Sequence, residues 1–453
     1  FSRIVYSGKN ASLCATIHTM RTNIVHSGAE ALTYEIRGIV AVAEQLAQLG
    51  VTIHWENIGD PVAKGYRMPV WIKEIIKNEV DNDKSFGYCP TRGLLETRRF
   101  LATKTNSKKG AQITENDIIF FNGLGDAISK IYTNLNKEAR IIGPCPAYST
   151  HSSAEAAHAG SSAITYDLLP EKNWLPDIDD LRNKVKYNPA ISGILIINPD
   201  NPTGMVYPKK ILEEIVAIAK EYDLFIISDE IYANVLYGDE QTASLAEIIG
   251  TVPGIAMKGI SKEFPWPGSR CGWIEVYNAT HDELFARYVK SVLDSKMLEV
   301  CSTTLPQSVI PKIMSDPRYE THLANKNAEY KKRAEFAHQM LSAVPGIIAP
   351  KPSGAFYMSI VFSKNVLNEK QTLPITDNAV RMFLEEKVEG VPNDKRFVYY
   401  LMGATGICTV PLSGFNTDLP GFRITLLESD EERFKKIFET VSQKIKEYLQ
   451  SSS

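Results

Sequence analysis

The 453-residue chain holds no Cys-x-x-Cys pair, and its six cysteines (Cys14, Cys89, Cys145, Cys271, Cys301, Cys408) are scattered, with no histidine cluster beside them. That spacing excludes a zinc site and a disulfide framework, and it fits a reducing, cytoplasmic compartment. No apolar run approaches the ~20 residues of a membrane span, so no membrane contact is expected. A basic surplus is also missing: 50 Lys and Arg stand against 53 Asp and Glu, for a net charge of −3, and the basic residues are dispersed. A nucleic-acid partner would call for a basic stripe. The first residues, Phe1-Ser2-Arg3-Ile4-Val5-Tyr6, lack the charged start and apolar core of a signal peptide. They also lack a methionine, as a processed chain or a piece of a longer one would. There is no internal repeat.

What is present is ordinary soluble composition, 44% apolar and 23% charged. The length is about three times that of a usual domain, which favours one large domain with a smaller one. Residues Glu35 to Leu49 carry Ile36, Ile39, Val40, Ala43, Leu46 and Ala47 at helical spacing and stop at Gly50. A strand-like run follows at Val51 to Trp55. From about residue 93 to 300, helices such as Lys209 to Tyr222 alternate with short continuous apolar runs: Ile118 to Phe121, Ala139 to Ile142, Ile194 to Ile197 and Leu224 to Ile227. Strands apolar on both sides and separated by helices predict an α/β fold with a mostly parallel sheet covered on both faces. Ligands of such sheets sit beyond the carboxyl ends of the strands.

Beyond about residue 320 the pattern changes to a long charged helix (Tyr319 to Val344), strand-like pieces at 355–362, 406–411 and 421–427, and a final helix from Asp430. We read this as a smaller α+β domain completed by the N-terminal segment. The expected division is 1–70 joining the small domain, 71–320 as the large domain, and 321–453 as the small C-terminal domain. Residues 363–397 are poorly patterned and rich in Asn, Lys and Glu, and are expected to form a surface excursion.

Four polar motifs fall at predicted strand ends: Asn122-Gly123-Leu124-Gly125-Asp126, Asn198-Pro199-Asp200-Asn201-Pro202-Thr203-Gly204, Ser228-Asp229-Glu230-Ile231-Tyr232, and Ser261-Lys262 with Arg270 eight positions on. Singly, each reads as a turn, a helix cap or a solvated loop. Together they match the needs of an aldehyde that is also a phosphate ester. A lysine amine bonds the aldehyde, an arginine and a helix amino terminus hold the phosphate, and a carboxylate keeps a pyridine nitrogen protonated.

This ordered set resembles the class I/II aminotransferases, the aspartate-aminotransferase fold (fold type I) of pyridoxal phosphate enzymes, from about Tyr34 to the C-terminal helix. The resemblance implies pyridoxal 5'-phosphate as cofactor, a seven-stranded type of sheet and no metal. It implies Lys262 as the lysine that bonds the aldehyde and moves the substrate's α-proton, Asp229 facing the pyridine nitrogen, and Tyr232 and Asn201 on the ring oxygen. Arg270, Ser261, Gly123 and the amides of Leu124 and Gly125 would hold the phosphate, and Tyr148 would stack on the ring. Tyr88 resembles the tyrosine lent to a neighbouring subunit's phosphate, which implies a homodimer with shared sites.

Arg423 resembles the arginine that grips the substrate α-carboxylate, with Asn201 and Gly59 also on the substrate. Within the family the likeness is to bacterial alanine (glutamate–pyruvate) aminotransferases, carried by Tyr34-Glu35-Ile36-Arg37-Gly38, Asn57-Ile58-Gly59-Asp60-Pro61 and Ser413-Gly414-Phe415-Asn416. It places Tyr34 and Arg37 near the substrate side chain, with the start of a helix crossing the pocket mouth as the plainer reading. An aspartate or aromatic aminotransferase, or a carbon–sulfur β-lyase, would keep the same cofactor residues. Two departures stand out: Gly125 and Gly259 occupy positions where the family often has phosphate-touching hydroxyls. The segment Glu263 to Pro267 has no family counterpart to interpret it.

Overall fold

The computed structural model describes residues 35–451. Its strands in chain order are β1 (His54–Trp55), β2 (Ile118–Phe121), β3 (Arg140–Cys145), β4 (Thr165–Leu169), β5 (Leu175–Pro176), β6 (Ile191–Ile197) and β7 (Phe225–Asp229). They continue with β8 (Gly254–Gly259), β9 (Gly272–Tyr277), β10 (Ile347–Ile348), β11 (Tyr357–Phe362), β12 (Ile407–Cys408), β13 (Val410–Pro411) and β14 (Gly421–Thr425).

The large sheet runs β2-β9-β8-β7-β6-β3-β4-β5. Strands β8, β7, β6, β3 and β4 are parallel neighbours, whereas β9 is antiparallel to both β2 and β8. The two-residue β5 adds an antiparallel eighth strand to the expected seven. The continuous apolar runs follow from the pleat, because successive side chains leave a strand on opposite faces. In β6, Ile194 and Ile196 join one buried cluster and Leu195 and Ile197 the other. In β2, Ile118 and Phe120 likewise part from Ile119 and Phe121. Each face is therefore roofed. The helix Lys209–Glu221 supplies Leu212, Ile215, Val216 and Ile218 to the first cluster. The helix Leu124–Thr133 supplies Ala127, Ile128 and Ile131 to the second.

A second, antiparallel sheet runs β10-β11-β14-β13. Its core takes Met358, Ile360, Phe422 and Ile424 from the strands and Phe434, Phe438 and Val441 from the last helix, Glu431–Gln450. Ile39, Ala43 and Leu46 of the helix Glu35–Gln48 enter the same core, and β1 pairs with β12, so the start of the described chain packs on its end.

Three expectations change. Only His54 and Trp55 of the 51–55 run are strand, and the 406–411 piece is two short strands split at Thr409. Residues 363–397 are not a surface excursion throughout. They contain the helix Asn378–Lys387 and the start of the helix Asn393–Thr405, and Leu373, Val380, Leu384 and Phe397 are buried in the core of the small sheet.

Candidate active site

Register brings the motifs together. Ile197 pairs with Asp229 and Asp229 with Met257, so the carboxyl ends of β6, β7 and β8 lie level. Gly272, at the start of antiparallel β9, pairs with both Gly259 and Phe121, which puts Arg270 beside the end of β2. Beyond this edge opens a cavity of about 610 Å³ lined by Leu124, Gly125, Tyr148, Asn201, Asp229, Tyr232, Ser261, Lys262, Arg270 and Arg423, together with Gly59 from the 57–60 turn.

Lys262 donates from Nζ to the Gly59 carbonyl at 2.9 Å. Burial lowers its amine from the usual 10.5 to about 8; Arg423 and Arg270 add to that, while Asp60 and Asp229 oppose it. An amine in that range keeps a neutral, nucleophilic share near neutral pH.

Asp229 is buried, its Oδ1 accepting from the Ile231 amide at 3.1 Å and its Oδ2 facing His151 Nε2 at 3.1 Å. A carboxylate only accepts, so the ring nitrogen carries the proton of that bond. Tyr232 and Tyr357 share a hydrogen bond between their hydroxyls at 2.9 Å. Burial, and then Tyr357, holds the Tyr232 phenol well above its usual range.

Arg423 is 1% exposed. Its guanidinium sits over the faces of Tyr357 and Phe415, 4.5 and 4.9 Å from the ring centres. Nη1 donates to Asn201 Oδ1 at 3.1 Å and Nη2 to the Asn57 carbonyl, while Nε has no hydrogen-bond partner among the described residues. A buried cation held by neutral oxygens at a cavity wall is poised for an anion.

At the other end Arg270 adopts a left-handed backbone (φ 49°) and donates to the carbonyls of Pro267 and Asn122 at 3.3 and 3.4 Å. Gly123 is required beneath it: its φ is +82°, and a Cβ there would come within 2.4 Å of Arg270 Nη2. The helix Leu124–Thr133 begins at the next residue, so arginine and helix amino terminus converge on one anion-sized cradle.

This donor set fits pyridoxal phosphate. Arg270, Ser261 and the amides of Leu124 and Gly125 suit a phosphate, Asp229 a pyridinium, Tyr232 and Asn201 a ring oxygen, and Lys262 an aldehyde. Tyr148 lines the cavity just before the helix that carries His151.

Tyr88 does not line this chain's cavity; it is 87% exposed. Tyr34 and the side chain of Arg37 lie outside the described residues. Among the described residues no group of His, Cys, Asp or Glu could hold a metal.

The cavity also contains residues to which sequence reading assigned no role: Asn57 and Asp60, read only as part of a turn, line it with Thr150 and Tyr357, and His151 backs Asp229. His151 had no signal of its own, because it stands inside a helix that begins only after Tyr148. Tyr357 had none, because the first residue of a buried strand reads as core.

A family profile described as aminotransferase class I and II matches residues 57–441. The chain is 56% identical to an uncharacterized aminotransferase of Methanocaldococcus jannaschii, over 95% of this chain and 100% of that one. It is 30% identical to the glutamate-pyruvate aminotransferase of Escherichia coli, over 73% of this chain and 81% of that one. Among solved structures, alanine aminotransferase from Pyrococcus furiosus is similar at a TM-score of 0.79 and 27% identity, covering 93% of this chain and 98% of that one.

Proposed function

The chain belongs to the class I and II aminotransferases, and on that footing we propose that it exchanges an amino group between L-alanine, or a similar amino acid, and 2-oxoglutarate by a ping-pong mechanism. The observation that carries the reading is the pairing in one cavity of a buried guanidinium, Arg423, whose Nε has no partner among the described residues, with a buried, pKa-lowered amine, Lys262. The first suits the α-carboxylate shared by amino and 2-oxo acids, and the second suits the carbon beside it. The names of the Escherichia coli and Pyrococcus furiosus relatives support alanine, glutamate and pyruvate as substrates.

The family's cofactor is pyridoxal 5'-phosphate, which when bound supplies an aldehyde for the amine and a ring that draws electrons from the substrate's α-carbon. The chain's residues do the rest. Arg423 and Asn201 orient the carboxylate. Lys262 Nζ would take the proton from the substrate's α-carbon and hold it for return, acting first as general base and then as general acid. The Gly59 carbonyl holds the amine in line. Asp229, steadied by His151, keeps the ring nitrogen protonated. Tyr232 and Asn201 stabilise the ring oxygen, and Arg270 with the helix amino terminus anchors the phosphate.

The first product leaves before the second substrate binds. A panel of amino donors with 2-oxoglutarate tests the substrate assignment: alanine should give the highest kcat/KM, and an aromatic or dicarboxylic donor well ahead of it would overturn the choice. Arg37 is proposed to read the second carboxylate of 2-oxoglutarate. Arg37→Leu should then raise KM for 2-oxoglutarate far more than for pyruvate, whereas equal effects would remove the role.

We also propose a homodimer in which Tyr88 reaches the partner's phosphate. Tyr88 and Phe86 are exposed, as are Met297, Leu298 and Val300. The two stretches adjoin, with Thr304 Oγ1 donating to the Gly87 carbonyl at 2.7 Å and the Cys89 thiol to the Ser302 carbonyl at 3.5 Å. An apolar patch of this kind marks an interface. A cytoplasmic setting is supported by the five described cysteines, all free thiols.

A further inference from the structure

Lys262 and its neighbour Glu263 lie on opposite sides of the same segment. Lys262 lines the 610 Å³ cavity, whereas Glu263 lines a smaller one of about 90 Å³ that also contacts Ile231, Ala233, Asn234, Lys258 and Gly259. Glu263 is buried, and its Oε2 accepts a hydrogen bond from Asn234 Nδ2. Asn234 stands two residues after Tyr232, in a turn closed by the Val235 amide on the Tyr232 carbonyl at 2.8 Å. The Glu263–Asn234 bond thus ties the segment that carries Lys262 to the segment that carries Tyr232.

Both ends of this tie rest on the helix Arg318–Ser342. His322 Nε2 lies 3.3 Å from the Glu263 carbonyl, and Asn327 Nδ2 donates to the Asn234 carbonyl at 3.1 Å. The next residue, Phe264, is fully buried edge-on to Tyr319 of that helix at 5.8 Å. Glu263 and Phe264 therefore form a brace behind the lysine.

The other charges at the smaller cavity are Lys258, paired with Glu275 at 2.8 Å and Glu230 at 3.5 Å, and the lysines Lys104 and Lys108. Burial raises the Glu263 carboxyl above its usual range, and Asn234, then the Tyr319 hydroxyl, Lys104 and Lys258, work against that. A buried acid kept at such a cost needs its partner, and loss of either side leaves the other unsatisfied.

We infer that Glu263 is a positioning residue: through Asn234 it fixes the offset between the lysine segment and the Tyr232 segment across the cofactor cavity. The inference rests on the reading of Lys262 as the lysine that bonds the aldehyde.

The test uses the cofactor-loaded enzyme and the variants Glu263→Ala, Glu263→Gln, Asn234→Ala and the double alanine. The readouts are thermal stability, the pH midpoint of the cofactor's visible absorbance, and kcat and KM for one amino donor. Borohydride reduction with peptide mapping identifies the lysine bonded to the cofactor.

Glu263→Ala and Asn234→Ala should each move the absorbance midpoint and lower kcat by about tenfold to a hundredfold, the usual effect of a misplaced reacting group. KM should change little. Glu263→Gln keeps an acceptor oxygen and should restore wild-type values, and the double variant should be no worse than either single one. If Glu263→Ala does not fold, Asn234→Ala and Glu263→Gln decide between the same outcomes. Three results would overturn the inference alone: a fall in stability with an unmoved midpoint, a Glu263→Gln variant as impaired as Glu263→Ala, or an additive double variant. Borohydride labelling at a lysine other than Lys262 would instead remove the parent reading, and this inference with it.

Discussion

Lys262 and Arg423 share one cavity but face opposite electrostatic demands. Aromatic and carbonyl neighbours make burial of the guanidinium tolerable. The amine is harder to keep charged there, and its pKa falls to about 8. A stability test follows. Between about 8 and about 10.5 the unfolded chain binds more protons at this lysine than the folded chain does, so stability rises with pH across that window. Below about 8 the full cost of the buried charge is present. In cofactor-free protein, Lys262→Met should therefore gain stability over wild type near neutral pH, and that gain should shrink as pH rises through the window. Urea unfolding at several pH values checks this, and a gain independent of pH would contradict it. Ser261, which lines the cavity beside Lys262, should weaken cofactor affinity when changed to alanine; equilibrium dialysis with an unchanged affinity would refute that. These residues were legible because each sits in a short motif whose chemistry needs it. His151 and Tyr357 were not: a histidine inside a helix and a tyrosine at a strand start look the same whether they serve a site or a core.

The two glycine departures belong to the elements that carry them, and the geometry separates them. Gly125 lies in the first turn of the helix Leu124–Thr133, and a Cβ there meets nothing within 4 Å among the described residues. Gly259 ends β8 opposite Gly272, and a Cβ there would press on the Cys271 carbonyl and Ile231 Cδ1, both at 3.1 Å. Gly125→Ser should then fold normally and tighten cofactor binding, whereas Gly259→Ser should lower the melting temperature without tightening it. Affinity and melting measured on both variants check the pair, and a cofactor-tightening Gly259→Ser would show that the strand can yield. A side chain at 259 would thus have to displace close strand neighbours, a constraint that sequence alone could not reveal. Strand and helix positions were readable wherever burial is one-sided or doubly apolar. The helix Asn393–Thr405 escaped because residues Phe397 to Met402 are buried all round, leaving no polar face to give a 3.6-residue rhythm. The helix before it buries only Val380 and Leu384, too few to show a stripe.

At the scale of the molecule, both ends of the described chain close on one small-sheet core while the strand ends of the large sheet open onto the cavity. The patch at Tyr88 and Leu298, each 87% exposed, is the proposed seat of the second subunit. Leu298→Glu should shift the proposed dimer toward monomer in sedimentation equilibrium and loosen the cofactor, since Tyr88 would no longer reach the neighbouring site. A wild type that sediments as a monomer would contradict the shared-site arrangement.

The central claim is that this cavity moves an amino group by way of Lys262, and one single-turnover half-reaction tests it directly. Cofactor-loaded enzyme is mixed with L-alanine in the absence of any 2-oxo acid, and pyruvate and ammonia are both measured. The account predicts one pyruvate per site, no free ammonia, and no reaction in Lys262→Ala. Ammonia released in step with pyruvate, or an undiminished half-reaction in Lys262→Ala, would contradict it.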